Sequence, residues 1–242
     1  MSPKLTQSII YGTVIVAVRT PGEIIVGADS KASYAGTEYT ESHCKINQVG
    51  NLFFAAAKLV GDNKDRFSVK RIASEAINKG GTISDIVTNF ERLVALPLYD
   101  LSASIKNNNP DLYEGISSGG SILDILFFGI ENNNPTMFYR TFNPLFPPFE
   151  PSFSGMRGQV INDDRPAYIC LGHTWPLAPH ITEGPEYWKK MGLVSGVRNL
   201  IQIAIKDDPS MVGGPITILR IDRKGGKWIE KSPQCPPIKK YW

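Results

Sequence analysis

A threonine, an aspartate and a lysine stand at equal spacing near the start of the chain, and their types suit nucleophilic chemistry. Thr13 follows Gly12 and opens an apolar run that reaches Val18. Asp29 lies sixteen residues further on, and Lys45 another sixteen. Because these residues fall on strand-like segments, we interpret the hydroxyl, the carboxylate and the ammonium as occupying matched positions on successive strands.

The residue types indicate an N-terminal nucleophile. A threonine hydroxyl is weakly nucleophilic until a base removes its proton, and the α-amine of an N-terminal threonine is one such base. A cut between Gly12 and Thr13 would free an amine with a pKa of about 7.7–8.0, and base help of this kind contributes about 10²–10⁴-fold in rate. Lys45 would lower the pKa of the amine and of the hydroxyl, and Asp29 would keep that lysine charged and aimed. Each residue alone is ordinary, so the hypothesis depends on their joint spacing.

Strand and turn signals predict the elements that must hold these side chains. Residues 13–19 and 23–29 are predicted to form a hairpin. Residues 34–40 and 43–49 are predicted to form a second, more polar hairpin, and a strand over 52–57 follows. The later strand predictions are a hairpin over 121–130 and 136–141, a strand over 167–171, and a last hairpin over 216–221 and 227–230.

Apolar residues at helical spacing predict three amphipathic helices. One lies within 62–79, a second begins at Thr82 with Asp85 completing a capping box, and a third spans 185–206. Residues 100–118 are predicted to be a loop, and 143–166 a long loop with a binding role.

This order of elements predicts the fold class. Strands come in runs and do not alternate one-for-one with helices, so the sheets should be largely antiparallel. A helix that is apolar on one face packs that face against another layer of the protein and leaves its other face to solvent. We therefore expect an α+β protein built as a four-layer αββα sandwich, two stacked sheets with helices outside. In this interpretation residues 1–12 are a leader and residues 13–242 are a single domain.

Composition narrows the function classes. The chain has 242 residues, is 42% hydrophobic and 20% charged, and carries a formal net charge of +3, which is ordinary for a globular protein. Its basic residues are scattered, so we expect no nucleic-acid partner, and no apolar run is long enough for a membrane span. An odd, widely spaced set of cysteines (Cys44, Cys170 and Cys235) indicates unpaired thiols and a cytoplasmic protein.

Several motifs resemble those of proteasome β-type subunits, including the related bacterial peptidases that work with an ATPase partner. In that family a Gly-Thr bond is followed by a hairpin ending in Ala-Asp-Ser-Arg/Lys and then by a lysine at the same further spacing. This chain shows the corresponding residues without a gap: Gly12-Thr13, Ala28-Asp29-Ser30-Lys31 and Lys45. Weaker matches are the segments Ala57–Asp62 and Asp207–Gly214. The first 50 residues match specifically, and the C-terminal half matches diffusely.

The resemblance implies an N-terminal-nucleophile hydrolase fold and a threonine-type peptidase that removes its own leader between Gly12 and Thr13. Thr13 would attack peptide bonds, with Lys45 and Asp29 tuning it. The further residues implied are the helpers Asp208 and Ser210, the oxyanion donor Lys58, and the cleft residues Ala32, Ser33, His43, Asn47 and Ala56. Because Ala56 is small, the cleft is expected to accept a bulky substrate side chain beside it.

The resemblance also implies partners. These are a peptide or unfolded protein substrate, a homo-oligomeric ring, and an ATPase; no metal or organic cofactor is implied. Two alternatives stay open. One is a catalytically inactive subunit of the same fold that serves as scaffold or assembly partner, and the other is an N-terminal-nucleophile amidase that acts on a small amide.

The chain departs from the family pattern at three places, one of which is a set of extra residues in the segment that contains Asp208 and Ser210; the other two are as follows. Where the family has Ala-Gly-Gly, this chain has Ala57-Lys58-Leu59, so a lysine would have to supply the oxyanion donor, and one lost donor costs about 10²–10³ in kcat. Where the family has Gly-Ser-Gly, this chain has Gly172-His173-Thr174. All three of those residues stay open as the counterpart of the supporting serine.

Overall fold

Two antiparallel sheets form the inner layers of the computed structural model, which describes residues 9–11, 13–34, 40–62, 66–117, 120–145, 152–154, 158–161 and 166–239. The strands are β1 (Ile9–Tyr11), β2 (Val14–Arg19), β3 (Glu23–Ala28), β4 (Lys31–Tyr34), β5 (Thr40–Ser42), β6 (Ile46–Val49), β7 (Leu52–Lys58), β8 (Gly61–Asp62), β9 (Leu123–Glu131), β10 (Asn134–Leu145), β11 (Ser152–Ser154), β12 (Gly158–Ile161), β13 (Ala167–Gly172), β14 (Thr217–Asp222) and β15 (Gly225–Glu230). The helices are α1 (Val69–Asn78), α2 (Ile83–Asn108), α3 (Pro110–Ser117), α4 (Ala178–Ile181), α5 (Pro185–Met191) and α6 (Leu193–Asp207).

The first sheet has the strand order β13-β2-β3-β14-β15, and the second has the order β11-β10-β9-β7-β6, with β12 also pairing with β10. Their neighbouring strands are antiparallel. This confirms the predicted hairpins β2–β3, β9–β10 and β14–β15. Every residue of β2 is buried, which explains its unbroken apolar sequence, since both faces of that strand are covered.

A smaller sheet, with the order β5-β4-β1-β8, corrects the second predicted hairpin. β4 begins at Lys31 and pairs with β5, whereas β6 pairs with β7. The prediction that 34–40 pairs with 43–49 is therefore wrong. The physical reason is burial: Ile46 packs in the core between the two large sheets, so β6 belongs to the second sheet.

Three apolar clusters join the layers. One lies between the second sheet and helices α1 and α2, and includes Phe90 and Phe127. A second lies between the two sheets, with Phe53 stacked on Phe128. A third lies between the first sheet and helices α5 and α6, and includes Trp188. The layers therefore run helix, sheet, sheet, helix, and the predicted αββα sandwich is confirmed.

The helices differ from prediction in three ways. Helix α1 begins later, after the N-cap Ser68. Helix α2 begins with the predicted Thr82 capping box but continues through Pro97 to Asn108, and α3 follows, so the predicted loop over 100–118 is wrong. Pro97 is exposed, and the buried stripe continues beyond it at Leu98 and Ile105. The predicted helix over 185–206 is split into α5 and α6 at Gly192, whose φ of +73° breaks the helical path.

Two other expectations change. The segment predicted as a long loop over 143–166 contains β11 and β12, which pair with β10. Cys44 and Cys235, 191 residues apart, form a disulfide, so the expectation of unpaired cysteines is wrong, and the predicted cytoplasmic location loses that support. Sequence spacing did not reveal this pair because the fold brings the C-terminal segment back to the residue before Lys45. In the described part of the chain, no helix has the length and apolar character to cross a membrane.

Candidate active site

Three side chains singled out in the sequence converge at the start of β2. Thr13 is 2% exposed, and its Oγ1 donates a hydrogen bond of 2.8 Å to Asp29 Oδ1. Lys45 Nζ is in hydrogen-bond contact with the same Oγ1. A hydroxyl, a carboxylate and an amine from three separate segments therefore meet at one buried point.

Asp29 is fully buried and held by backbone donors. Its Oδ1 accepts from the Val14 N–H at 3.0 Å, and its Oδ2 accepts from the Lys31 and Gly213 N–H groups, each at 3.1 Å. A buried carboxylate needs such partners, because desolvation without them is costly. Its position is thereby fixed relative to Thr13.

The Lys45 side chain is 6% exposed, and its Nζ lies 3.8 Å from Asp29 Oδ1. The same nitrogen donates to the Lys31 carbonyl. Burial lowers the pKa of Lys45 below its usual 10.5, and the Asp29 carboxylate opposes part of that shift. A lysine with a lowered pKa can take up and return a proton nearer to neutral pH.

The backbone around Thr13 is constrained as closely as its side chain. Its φ is +132°, a conformation unusual for a β-branched residue. Its carbonyl accepts from the His173 N–H at 3.0 Å, and a Cβ at residue 172 would lie 2.2 Å from that carbonyl oxygen. Only glycine therefore fits at Gly172. Of the three candidates for the supporting serine, Gly172 and His173 contact Thr13 through backbone atoms.

A second lysine–aspartate pair, made of the buried Asp124 and the half-buried Lys58, adjoins this backbone. Asp124 is 4% exposed; its Oδ1 accepts from Ser121 Oγ at 2.7 Å, and its Oδ2 accepts from the Gly172 N–H at 3.1 Å. Lys58 Nζ donates to the Ser121 carbonyl at 2.8 Å. Burial raises the pKa of Asp124, with Lys58 opposing the shift, and burial lowers the pKa of Lys58, with Asp124 opposing it. Sequence reasoning missed Asp124, although a single carboxylate in an otherwise apolar strand was a usable signal.

Lys58 keeps a backbone conformation that glycine favours. Its φ is +69°, in the left-handed region, at a place where the resembling family carries glycine. The following N–H, of Leu59, donates to the Ile122 carbonyl at 3.0 Å. The role of Lys58 as oxyanion donor stays a prediction.

The residues before Thr13 occupy a groove. Strand β1 lies between β4 and β8, antiparallel to both, with Tyr11 opposite Ser33 and Ile10 opposite Gly61. Gly12, the predicted processing residue, and residues 1–8 lie outside the described residues. The chain leading to Thr13 is thus an extended segment held on both edges by backbone pairing.

A cavity of about 480 Å³ adjoins this groove. It is lined by residues of both flanking strands, Ala32 of β4 and Gly61 of β8, and also by Lys45. The predicted cleft residues Ala32, His43, Asn47 and Ala56 all line it, whereas Ser33 and Lys58 are not among its lining residues. Its apolar side chains are Phe54, Ala56, Val60, Phe67 and Val69.

Asp208 and Ser210 lie in the loop after α6, with their side chains engaged locally. Asp208 Oδ1 accepts from Ser210 Oγ at 2.5 Å and from the Met211 N–H at 3.1 Å. Gly213, which lies in the weakly matching segment Asp207–Gly214, contacts the Thr13 site by donating its N–H to Asp29 Oδ2 at 3.1 Å. The helper role of Asp208 and Ser210 stays a prediction.

Cys170 and His173 lie close together in sequence but do not form a nucleophile–base pair in the structure described. Burial raises the pKa of the Cys170 thiol to about 12, which disfavours the reactive thiolate, and His173 Nε2 lies 3.0 Å from Asp207 Oδ2. Within the described ranges, no group of three or more His, Cys, Asp or Glu residues could hold a metal ion.

No protein-family model matches the chain, and no curated protein sequence matches it significantly. Solved structures do match: one is a Gly-1 mutant of Anbu from Hyphomicrobium sp. strain MC1, with a TM-score of 0.55, 16% sequence identity, and coverage of 90% of this chain and 87% of that chain. At this identity the likeness shows the fold alone. Anbu has the proteasome-like N-terminal-nucleophile hydrolase fold, and the four-layer sandwich of this chain is that fold.

Proposed function

We propose that this protein is a threonine-type peptidase that cuts its own chain between Gly12 and Thr13 and then hydrolyses peptide bonds. The observation that carries the proposal is the Thr13 hydroxyl, bonded to the buried Asp29 carboxylate and in contact with the buried Lys45 amine. This hydroxyl directly follows a strand held in a groove. A hydroxyl, a base and an orienting carboxylate are the parts that nucleophilic catalysis needs.

Leader removal needs a base other than the Thr13 nitrogen, because that nitrogen is an amide in the uncut chain. Lys45 Nζ is the group in contact with Oγ1, and burial favours its neutral form. In the proposed step Nζ takes the hydroxyl proton, and Oγ1 bonds to the Gly12 carbonyl carbon. The C–N bond then breaks as the nitrogen gains a proton, and water hydrolyses the resulting ester. Thr13 is left with a free amine.

Backbone strain at Thr13 favours the same cut. A β-branched residue in a sparsely populated conformation costs about 1–3 kcal/mol, and Thr13 has a φ of +132°. That torsion is defined through the Gly12 carbonyl carbon, so breaking the bond abolishes the torsion and its strain. Strain of this kind destabilises the uncut chain relative to the product.

The groove suggests the substrate class. Once the leader leaves, β4 and β8 lose the strand that pairs with both, and their exposed edges can bind another extended peptide. Its backbone would follow the path of β1 toward Thr13, whose free amine then acts as base. We therefore propose peptides and unfolded proteins as substrates. The homo-oligomeric ring and the ATPase partner stay predictions.

Intact-mass measurement of the purified, natively produced protein tests the proposal. We expect loss of residues 1–12, and full-length mass in the Thr13→Ala variant, which lacks the nucleophile. The processed protein should hydrolyse quenched-fluorescence peptides, and Thr13→Ala should not. A full-length mass in an assembled sample would contradict the peptidase and favour a scaffold subunit. Turnover of small amides without turnover of peptides would favour an amidase.

A further inference from the structure

The C-terminal segment crosses from one sheet to the other beside the proposed site. Residues 231–239 follow β15 in the first sheet. The Ser232 N–H donates to Thr217 Oγ1 at 3.3 Å, and Trp228 Nε1 donates to the Pro236 carbonyl at 3.0 Å. The segment reaches β6 of the second sheet at Lys239, whose backbone N–H and carbonyl both bond to the Gln48 side chain. Ile238 packs against the core between the sheets.

This segment forms part of the cavity that adjoins the leader groove. Gln234 and Pro236 line the cavity, together with Cys44. The Cys44–Cys235 disulfide joins the segment to the residue that precedes Lys45. One wall of the cavity therefore comes from the far end of the chain and is anchored covalently.

We propose that residues 232–239, anchored by the Cys44–Cys235 disulfide, form the wall that selects substrate side chains in this cavity, and that reducing the disulfide relaxes the selection. The inference rests on the proposed peptidase function. The cavity also carries the apolar side chains of Phe54, Ala56 and Phe67. Contact with these side chains favours substrates with a bulky apolar side chain at the residue that enters the cavity, because that side chain leaves water.

We expect the Cys44–Cys235 disulfide to position residues 232–239 without positioning the nucleophile. Lys45 is held independently, through its contacts with Thr13 and the Lys31 carbonyl, and the pairing of β6 with β7 continues from Ile46. Near the cavity, the disulfide at Cys235 joins the segment to Cys44, whereas the hydrogen bonds of Ser232 and Pro236 are to residues of the first sheet. A dithiol supplies two electrons and two protons to that bond, giving two thiols, while the dithiol becomes a cyclic disulfide.

The leader provides an internal control. The residue before the proposed cut is Gly12, which has no side chain to enter a side-chain site. Leader removal should therefore be insensitive to the wall, whereas cleavage of added peptides should depend on it. This difference separates a loss of selectivity from a loss of chemistry.

The test compares two peptides that differ only in the residue before the cut, Phe or Ala, cleaved by the processed protein with and without dithiothreitol. Reduction of the Cys44–Cys235 bond is verified by mass after thiol alkylation. We expect the Phe-to-Ala ratio of kcat/KM to fall about tenfold on reduction, the scale that a side-chain site contributes to selectivity. Leader removal from newly made precursor should keep its rate in dithiothreitol.

Variants sharpen the comparison. Cys235→Ser should show the low ratio of the reduced protein and no further response to dithiothreitol. Gln234→Trp, with the disulfide intact, should fill the cavity and slow cleavage of the Phe peptide more than that of the Ala peptide. Cys170→Ser is the matched control: Cys170 is not in a disulfide and is half-buried against the cluster that includes α6, so the response to dithiothreitol should persist.

Each outcome decides the inference. A ratio that falls on reduction, with leader removal unchanged, supports it. An unchanged ratio in verified reduced protein overturns it and leaves the proposed peptidase standing. If reduction slows leader removal as well, the disulfide positions Lys45 and the selecting wall is refuted. If the oxidised protein neither removes its leader nor cleaves peptides, the proposed function fails and this inference fails with it.

Discussion

Two lysine–aspartate pairs adjoin Thr13, one with both side chains buried and one with a half-buried lysine, and they differ in what their polar atoms contact. Lys45 and Asp29 both reach the Thr13 hydroxyl. Asp124 reaches the Gly172 N–H, and Gly172 packs against the Thr13 carbonyl. In both pairs burial lowers the pKa of the lysine, while the carboxylate opposes that shift.

The difference shows that a buried charge pair is not by itself a catalytic feature. The same residue types contact the reactive oxygen in one case and the supporting backbone in the other, and Lys58 is less buried than Lys45. In the proposed mechanism the first pair moves a proton to or from Oγ1, whereas the second helps to fix where Thr13 lies. The following substitutions, made in matched positions, test this division.

The largest expected effect comes from one substitution made at both lysines. Lys45→Met removes the amine that contacts Oγ1, so leader removal should slow by about 10³-fold, within the range for a lost general base. Lys58→Met removes a charge but keeps the backbone N–H, so leader removal should slow by less than about tenfold. Time courses of intact mass measure both rates. Equal losses in the two variants would contradict the division of roles.

The second effect concerns the close approach at Gly172. Gly172→Ala would place a Cβ 2.2 Å from the Thr13 carbonyl oxygen, so the nucleophile must shift, and a displacement of about 1 Å costs about 10²-fold in rate. Gly80→Ala is the matched control, because Gly80 has a similar φ of +76° but no atom within 4 Å of an added Cβ. It should cost about 1 kcal/mol of stability and leave leader removal unchanged. A normal rate in Gly172→Ala would show that the position of the Thr13 carbonyl does not matter.

The third comparison is between the two carboxylates, each changed to asparagine. In Asp29→Asn the new NH₂ group faces at least one backbone N–H, whichever way it is turned. The free energy of unfolding should therefore fall by about 3 kcal/mol. In Asp124→Asn the amide oxygen can still accept the hydrogen bond from the Gly172 N–H, and the NH₂ group can donate to Ser121 Oγ. The free energy of unfolding should therefore fall by only about 1 kcal/mol.

Urea unfolding in a Thr13→Ala background measures these losses, because every chain then keeps its leader. Losses of equal size would refute the argument from hydrogen-bond partners.

The sequence could predict the first pair and not the second, for a physical reason. Thr13, Asp29 and Lys45 lie directly beside β2, β3 and β6, in the first 50 residues, where the chain matches the motifs of the resembling family without a gap, so that resemblance placed them together. Lys58 and Asp124 are brought together by the pairing of β7 with β9 across the intervening β8 and helices α1 to α3, and no local pattern encodes that register.

The same distinction holds for the fold. Hairpins and capping boxes are local, and they were predicted correctly at β2–β3 and at Thr82. The strand that pairs with β6 depends on Ile46 packing in the apolar cluster between the two sheets. The Cys44–Cys235 disulfide depends on the path of the C-terminal segment. These features are set by long-range packing, so spacing in the sequence gave no signal for them.

The smallest expected effect is a pH dependence that separates Lys45 from its neighbours. In the proposed leader removal Lys45 must be neutral to accept the hydroxyl proton, and burial lowers its pKa below 10.5. The neutral fraction, and with it the rate, should therefore rise about tenfold per pH unit below that pKa and level off above it. Lys45→Arg is the control: a guanidinium stays protonated, so this variant should be slow and show no rising limb. A rate that falls with pH in the unaltered chain would mean that Lys45 acts as an ammonium, and the base for leader removal would have to be sought elsewhere.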